Sequence, residues 1–564
     1  MKPNMSADWL QAVEAFAGLG QAELRRLLTR CYTRAVAPGE AVAEAGASAD
    51  ALHILISGRL SASDGAGETL ELAPGAAVGY PAFFAREAYR ETVAAARESL
   101  MLTLEWDEFA QLADRAPEYW QAVAVAMAKR GPAEPVRSRF PKPHTLAILG
   151  AGASPPPPDI VSEIAAALDP LADCQVLRSS SFGQNLPGGI TLDDPEVAHW
   201  LQEQQLSFDL IIRVADAELT GWTRQAVAEA DEILLVAHAN AGFGLGEPEA
   251  FAFKTRGPSA CRLITVEDGA RDARAWLADR PVRLHHRVRL RPSSGFDRLA
   301  RFVLGRARGY IACGGGGYAG AHLGLIQALE EAGATIDCVA GVGAGAIAAA
   351  FAAAGAPVAD AAALLPPPRS RTEYERLVAA AFGRSHIDNL ALPFRALSAD
   401  LSHGALVVHK AGPLIESLLA NWPPPGLAAP FIDGAGRHLA DGGLIDPAPD
   451  WLLGDVHGGV NVLGRIEPPL AAPARDPASP VDWALKRLTG ARGDALEPFD
   501  AVNVMLRGMN MRRVEKAQAA LTLSPPMLPG AEGQDAAREL AYDWARRELD
   551  VLRQDERWAA FFGG

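Results

Sequence analysis

The segment that most constrains this chain lies past its midpoint and reads IDCVAGVGAGAIAAAFAAAG, residues 336–355. Cys338, Val339 and Ala340 have the apolar run of a buried strand. Gly341 to Gly345 form a sharp turn, and the alanines that follow suit a closely packed helix. Strand, turn and small-residue helix are the setting in which a hydrolase presents a nucleophilic serine as G-x-S-x-G. Here the middle position is Gly343, which has no side chain. The stretch from Cys338 to Ala359 is uncharged for 22 residues, long enough to cross a bilayer. It is mostly Ala and Gly, however, and is broken at Gly341, Gly343, Gly345, Gly355 and Pro357. A buried strand-turn-helix is therefore expected, and no transmembrane segment.

A chain of 564 residues has room for three or four domains. With 49% hydrophobic and 21% charged residues it is expected to be globular. The formal net charge of −15 argues against a nucleic-acid partner, which needs a basic footprint. The five cysteines, Cys31, Cys174, Cys261, Cys313 and Cys338, are far apart and form no C-x-x-C pair. Neither a disulfide framework nor a metal site is implied, and a reducing, cytoplasmic location fits best. The N-terminus carries acids early and lacks an apolar h-region, so a signal peptide is not expected. No cofactor is indicated.

The first segment alternates apolar and polar residues between glycine turns, as in APGEAVAEAGASADALHILISGRL, with helical patterns on either side. Short strands at this spacing suggest a β-roll. The spacing of Gly39, Gly46, Gly58, Gly75 and Gly79, with ALHILISGRL as a central strand, resembles the cyclic nucleotide-binding domain. That resemblance implies a glutamate after Gly79 for the ribose and an arginine about ten residues on for the cyclic phosphate. This chain has Tyr80 and Tyr89 there, and Arg90 is one residue off, which in a strand turns it to the other face. Each missing charged hydrogen bond costs about 1.5–3 kcal/mol, so a β-roll without nucleotide is expected.

After a Pro-rich linker, TLAILGAGA reads as a parallel strand entering a turn at Gly150-Ala151-Gly152. FDLIIRVA, DEILLVAHA and SACRLITVED continue an alternating α/β pattern. The glycine turn lacks the Lys and Ser/Thr of a P-loop, and prolines follow it, so a tight turn without ligand is expected. Then comes a passage with eight arginines between Arg283 and Arg308. Ser294 and Asp297 resemble a capping box, with Phe296, Leu299 and Val303 on one face of a short helix. The passage reads either as a solvated connector or as a basic piece lying on anionic lipid.

From Tyr310 the order is strand, glycine loop, helix, strand, turn, helix. The glycines Gly314, Gly315, Gly316 and Gly317 expose N–H groups near a helix start, suited to negative charge or to an oxyanion. Taken with the turn at Gly343 and with Asp441-Gly442-Gly443 in FIDGAGRHLADGG, this resembles the patatin-like phospholipase domain. The whole order of segments resembles bacterial relatives of neuropathy target esterase. The resemblance implies a three-layer α/β/α hydrolase with a Ser–Asp pair, an oxyanion loop at Gly314–Tyr318, and Asp441 as the base for the serine. Against that pattern Gly343 stands at the nucleophile position, Tyr318 replaces the basic residue of the loop, and Ala319 the next glycine. No substitute nucleophile is evident: Cys338 should lie within the sheet, and Ser370 and Ser402 sit in unrelated contexts. His322 is expected to pack rather than act as a base, and Met505 and Met509 to fill a core.

The fold class expected is multidomain α/β. It comprises a β-roll over 1–138, a middle α/β domain over 139–290, a basic linker helix over 291–309, and a patatin-like domain over 310–564 with its core in 310–455. The function expected is a patatin-fold pseudoenzyme of lipid metabolism. Its partners would be a lipid or acyl chain, a membrane inner face met through Arg283–Arg308, or a regulatory protein. An active (lyso)phospholipase and a cyclic-nucleotide-responsive regulator are the alternatives.

Overall fold

A computed structural model of the chain describes residues 18–63, 69–72, 74–130, 143–152, 154–180, 207–238, 241–267, 273–355, 371–421, 429–467, 521–528 and 534–563, with single positions at 10, 13, 16 and 204. Ser370, Met505, Met509 and the expected boundary at 138 lie outside the described residues. The chain divides into two compact units. One comprises 1–269, 279–283 and 288–305; the other comprises 270–278, 284–287 and 306–564.

The first unit opens with α1 (Gln21–Arg30) and a β-roll of strands β1 (Tyr32–Val36), β2 (Ala41–Ala43), β3 (Ala51–Ser57), β4 (Leu60–Ser63), β5 (Thr69–Leu72), β6 (Ala77–Val78), β7 (Thr92–Ala95) and β8 (Ser99–Glu105). They form two antiparallel four-stranded sheets, β1-β8-β3-β6 and β2-β7-β4-β5. Alternation along the strands turns Leu52, Ile54, Leu60, Ala62, Met101 and their neighbours into one buried cluster. Helix α2 (Tyr80–Ala85) interrupts the roll; α3 (Trp106–Ala113) and α4 (Glu118–Arg130) follow it. Phe83, Phe84, Trp106, Phe109 and Trp120 meet there edge-on or tilted, with centroids 5.0–6.4 Å apart.

The same unit continues through β9 (Thr145–Gly150), α5 (Pro158–Leu168), β10 (Cys174–Arg178), β11 (Leu210–Val214), α6 (Gly221–Glu229), β12 (Glu232–Ala237), α7 (Glu247–Thr255) and β13 (Cys261–Val266). The parallel order is β10-β11-β9-β12-β13, so strand order reverses beside β9. Continuous apolar runs such as EILLVA suit strands covered on both faces. A buried carboxylate helps tie the roll to this sheet. Asp231 accepts from Arg59 (Nε 3.2 Å) and Arg97 (Nε 3.1 Å, Nη2 2.9 Å), and from the His144 and Thr145 N–H groups at 2.8 and 3.1 Å. The two guanidiniums hold its carboxyl well below the usual carboxylate range despite burial.

Within residues 291–309 the short helix expected from the spacing of Phe296, Leu299 and Val303 does form. Helix α8 (Phe296–Val303) buries Phe296, Leu299, Ala300 and Val303 in the same cluster as the strands of the middle sheet. The helix begins after Gly295, whose φ is 87°, while Ser294 belongs to the short strand β15 (Ser293–Ser294), which pairs antiparallel with the end of β14 (Leu284–Leu290). The capping box expected from Ser294 and Asp297 is therefore not formed: the chain turns one residue too late for the Ser294 hydroxyl to meet the first helical N–H groups.

The second unit is built on β16 (Arg308–Gly314), β17 (Cys338–Val342), β18 (Phe394–Asp400), β19 (Ala405–His409), β20 (Phe431–Ile432), β21 (His438–Asp441), β22 (Val460–Ile466) and β23 (Leu521–Leu523). The order is β20-β21-β18-β17-β16-β22-β23, with β19 also on β18. Its helices are α9 (Ala321–Glu331), α10 (Ala344–Ala354), α11 (Arg371–Phe382), α12 (Leu414–Ala420), α13 (Gln534–Leu552) and α14 (Glu556–Phe562). Leu325, Ile326 and Leu329 are buried as their spacing predicts, but so are Ala321, His322, Leu323, Gly324 and Ala328. The reason is α13, which packs on α9 where Gly324 leaves room for the Arg538 carbonyl. A helix covered on both sides shows no clean amphipathic period.

Candidate functional site

Parallel pairing brings the carboxyl ends of β16 and β17 together. Cys313 lies opposite Val342, so the glycine loop and the Gly343 turn leave the sheet side by side. On the other side Val342 lies opposite Leu397 of β18, and the next residue, Ser398, lies opposite Asp441 of β21. The sheet thus sets Gly343 and Asp441 at one edge-to-edge junction, although 98 residues separate them in sequence.

Gly343 caps α10 with φ 60° and ψ −134°, a conformation that is strained for any residue with a side chain. Its flanking glycines are required by packing. A Cβ on Gly341 would overlap the Ala346 backbone, and one on Gly345 would overlap the Ala312 carbonyl. These two contacts explain why the first and last positions of the turn are glycine. At the middle position the constraint differs: an ideal Cβ on Gly343 would lie 2.5 Å from Asp441 Oδ2 and 2.9 Å from its Cγ and Oδ1. The carboxylate leans into the volume that a serine side chain would begin to fill.

Asp441 Oδ1 accepts the Gly443 N–H at 2.8 Å. The carboxyl is pushed up to about 6 by burial, with the Gly443 N–H pulling the other way. On the other face of the turn, the Gly343 N–H donates to Asn421 Oδ1 at 3.1 Å. Asn421 Nδ2 in turn donates to Ser398 Oγ (3.1 Å) and the Ser417 carbonyl (2.9 Å), and Ser398 Oγ lies 2.9 Å from His409 Nε2. Burial lowers the His409 ring to about 4, so it is neutral at physiological pH. Sequence reading did not single out Asn421, Ser398 or His409. Their meeting depends on the antiparallel register of β18 and β19, with Ala396 opposite His409, and on the last turn of α12.

In the glycine loop Gly314, Gly315 and Gly316 all have positive φ, and a Cβ on Gly315 would lie 2.8 Å from the Ala319 backbone. Gly317 follows in the same short turn. Tyr318, in place of the expected basic residue, is buried in the core cluster. His322 is fully buried, with Nδ1 2.9 Å from Tyr310 Oη and Nε2 3.4 Å from the Gly314 carbonyl; burial lowers it to about 4. It braces the loop from behind. Cys338 and Cys313 are buried in the strands, and burial pushes the Cys313 thiol up. Ser402 lies on an exposed turn, 3.2 Å from His438 Nδ1. Gly442 must lack a side chain because a Cβ would overlap the Leu397 carbonyl.

In the β-roll, the Tyr89 ring lies across Gly79, where an added Cβ would meet it at 2.5 Å, and its hydroxyl donates to the Ala51 carbonyl at 2.7 Å. Tyr80 is buried beside Phe84. The Arg90 side chain is 86% exposed and pairs with Glu87 at 3.4 Å. The position where the resemblance implies a phosphate-binding arginine thus carries an aromatic ring, and the neighbouring cation points into solvent. The arginine passage is largely spent on the protein itself. Arg283 pairs with Glu232 at 2.6 Å, Arg289 with Glu267 at 2.7 Å, Arg287 with the Asn389 carbonyl, and Arg308 with the Phe561 carbonyl at 2.7 Å. Among the described residues no helix is long and apolar enough to cross a membrane, and no cluster suits a metal.

Two family models match this chain: the cyclic nucleotide-binding domain over residues 33–116, and the neuropathy target esterase family P-loop-like domain over residues 143–305. An uncharacterized NTE family protein of Mycobacterium tuberculosis is 28% identical over 468 residues, covering 78% of this chain and 76% of that protein. Patatin-like phospholipase domain-containing protein 6 of Homo sapiens is 25% identical over 495 residues, covering 74% of this chain and 36% of that protein. This chain thus spans about a third of the length of the human protein. A solved N-terminal domain of a transcriptional regulator from Streptomyces coelicolor A3(2) matches 22% of this chain and 91% of its own, at 21% identity and a TM-score of 0.21.

Proposed function

We propose a binding or regulatory role without ester hydrolysis for this chain, which is a patatin-like relative of the neuropathy target esterase family carrying an N-terminal cyclic nucleotide-binding domain. The observation that carries this reading is the junction of Gly343 and Asp441. Acyl transfer in this fold needs an oxygen nucleophile on the turn, and loss of a catalytic serine alone costs on the order of a millionfold in turnover. Here the turn offers only hydrogen, and the carboxylate that would serve the serine fills part of its place. The buried Tyr318 removes the positive charge of the loop as well. Scaffold and loop remain suited to a lipid or acyl ligand, or to a protein partner. The engagement of Arg283, Arg287, Arg289 and Arg308 within the protein favours the first and last of these over a membrane surface.

The reading of the site as an active (lyso)phospholipase is favoured by one observation, the carboxyl of Asp441 poised near 6, which could take a proton from water. Release of fatty acid from lysophosphatidylcholine separates the two, because hydrolysis by water leaves no covalent adduct: no release above that of Asp441→Asn is expected, and a clear excess refutes the non-hydrolysing reading. A fluorophosphonate probe tests in addition for a covalent nucleophile. No label is expected on the wild-type chain; a covalent adduct traced by mass spectrometry to residues 306–564 would refute the non-hydrolysing reading. The Gly343→Ser variant is expected to label weakly, because Asp441 must first withdraw from the serine Cβ.

A further inference from the structure

The turn Gly150-Ala151-Gly152 lies where a ligand would sit in a doubly wound sheet. It follows β9 at the point where strand order reverses between β11 and β12, and such crevices take phosphates in nucleotide-binding folds. The matching family model is described as P-loop-like. The residues present do not fit a nucleotide. Pro155, Pro156 and Pro157 follow the turn in place of the P-loop lysine and hydroxyl, and the crevice is filled from within. Glu249, third residue of α7, is fully buried, and its Oε2 accepts the Gly152 N–H at 2.9 Å and the Gly246 N–H at 2.8 Å. Arg280, equally buried, closes on the carboxylate with Nε to Oε1 at 2.6 Å and Nη2 to Oε2 at 2.9 Å. Two of its remaining three N–H groups bind the Phe243 and Gly244 carbonyls at 2.8 and 3.1 Å. The Ala151 N–H is used by the Val236 carbonyl at 2.9 Å.

We propose that this is a self-liganded anion site, in which the Glu249 carboxylate takes the place of a phosphate and Arg280 is its counter-ion. A phosphate entering would meet a fixed negative charge, and the turn has lost its donors to side chain and strand. The middle α/β layer is then a permanently closed module that takes no nucleoside triphosphate. Removing the carboxylate leaves two N–H groups and a guanidinium converging on an empty position, which suits a small monocarboxylate such as acetate or propionate.

Thermal unfolding of the full chain tests this. Wild type is expected to show no saturable rise in Tm with magnesium-ATP, magnesium-GTP or inorganic phosphate. Glu249→Ala is expected to lower Tm by about 10 °C, since it strands a buried guanidinium. Sodium acetate should restore part of that loss saturably in Glu249→Ala, relative to sodium chloride at equal ionic strength, and should do nothing for wild type or for Glu249→Ala with Arg280→Met. A saturable rise in wild-type Tm with either nucleotide or with phosphate overturns the proposal, and so does a Glu249→Ala chain that is as stable as wild type or indifferent to acetate. If Glu249→Ala does not fold, the wild-type arm alone decides.

Discussion

Replacing Asp441 by asparagine should stabilise this protein at neutral pH, although it removes an ionisable group that faces the glycine turn. Burial raises the carboxyl from 3.8 to about 6 in the folded chain. An acid whose folded pKa lies above its unfolded one binds an extra proton when folded. Its stability contribution is therefore most favourable below about 4, falls as pH rises from 4 to 6, and is at its worst above 6. About two units correspond to about 3 kcal/mol, an upper figure because the side chain keeps some contact with solvent. Asparagine is neutral in both states and keeps an oxygen for the Gly443 N–H. Since about 1 kcal/mol moves the Tm of a unit this size by about 2–4 °C, a gain of about 5–10 °C is expected at pH 7.5. Scanning fluorimetry of both proteins from pH 4 to 8 gives the answer by difference, which cancels every other titration. The gain should shrink to nothing near pH 4. An Asp441→Asn chain no more stable than wild type at pH 7.5, or one whose advantage persists at pH 4, would show that burial does not strain this carboxylate.

Two further outcomes follow from the first unit. Asp231→Ala leaves Arg59 and Arg97 buried without their common partner, which should cost about 3–5 kcal/mol; thermal melts should show an early transition that wild type lacks. Because the Asp231 carboxyl is depressed by those arginines, its contribution in wild type is present above about 4 and is lost only as pH falls through the lower folded value. Isothermal calorimetry with cyclic AMP and cyclic GMP should show no binding tighter than about 10 μM, some −7 kcal/mol; a tighter site would mean that the ring of Tyr89 moves off Gly79.

Local patterns carried much of this in advance. The spacing of Gly341, Gly343 and Gly345 and the run Gly314–Gly317 each mark a place where backbone meets backbone within a few residues, so a reader of the sequence can find them. Asp441 was within reach because Gly442 and Gly443 follow it, in a short 3-10 turn at the end of β21. Asn421, Ser398 and His409 were not, because nothing local distinguishes a polar residue in a strand until register says what lies beside it. The same holds for Asp231, whose partners Arg59 and Arg97 lie 172 and 134 residues earlier. Glu249 was not singled out in the sequence, where it is one acid in a helix's first turn, and only the three-dimensional course of the chain brings Arg280 and Gly152 to it. For the arginine passage the sequence leaves two readings open, and only the fold supplies its acceptors: Glu232 on β12, Glu267 just past β13, and the Asn389 and Phe561 carbonyls.

The seating of α13 on α9 has a consequence for how the molecule is made. The glycine loop and the Gly343 turn emerge from the ribosome with β16 and β17, but the cover that shields α9 is encoded more than two hundred residues later, at Gln534–Leu552. Leu325, Leu329 and Ala328 must wait for Ala537, Ala541 and Ala545, contacts of very long sequence separation that close slowly. Over the roughly two hundred residues made in between, about a third of synthesis, the half-built sheet exposes an apolar helix face, the kind of surface that chaperones hold and that aggregates when they do not. Expression yield of this chain should then respond to translation speed and chaperone supply near its C-terminal end far more than to changes in the β-roll, which can complete its own core within the first quarter of the message.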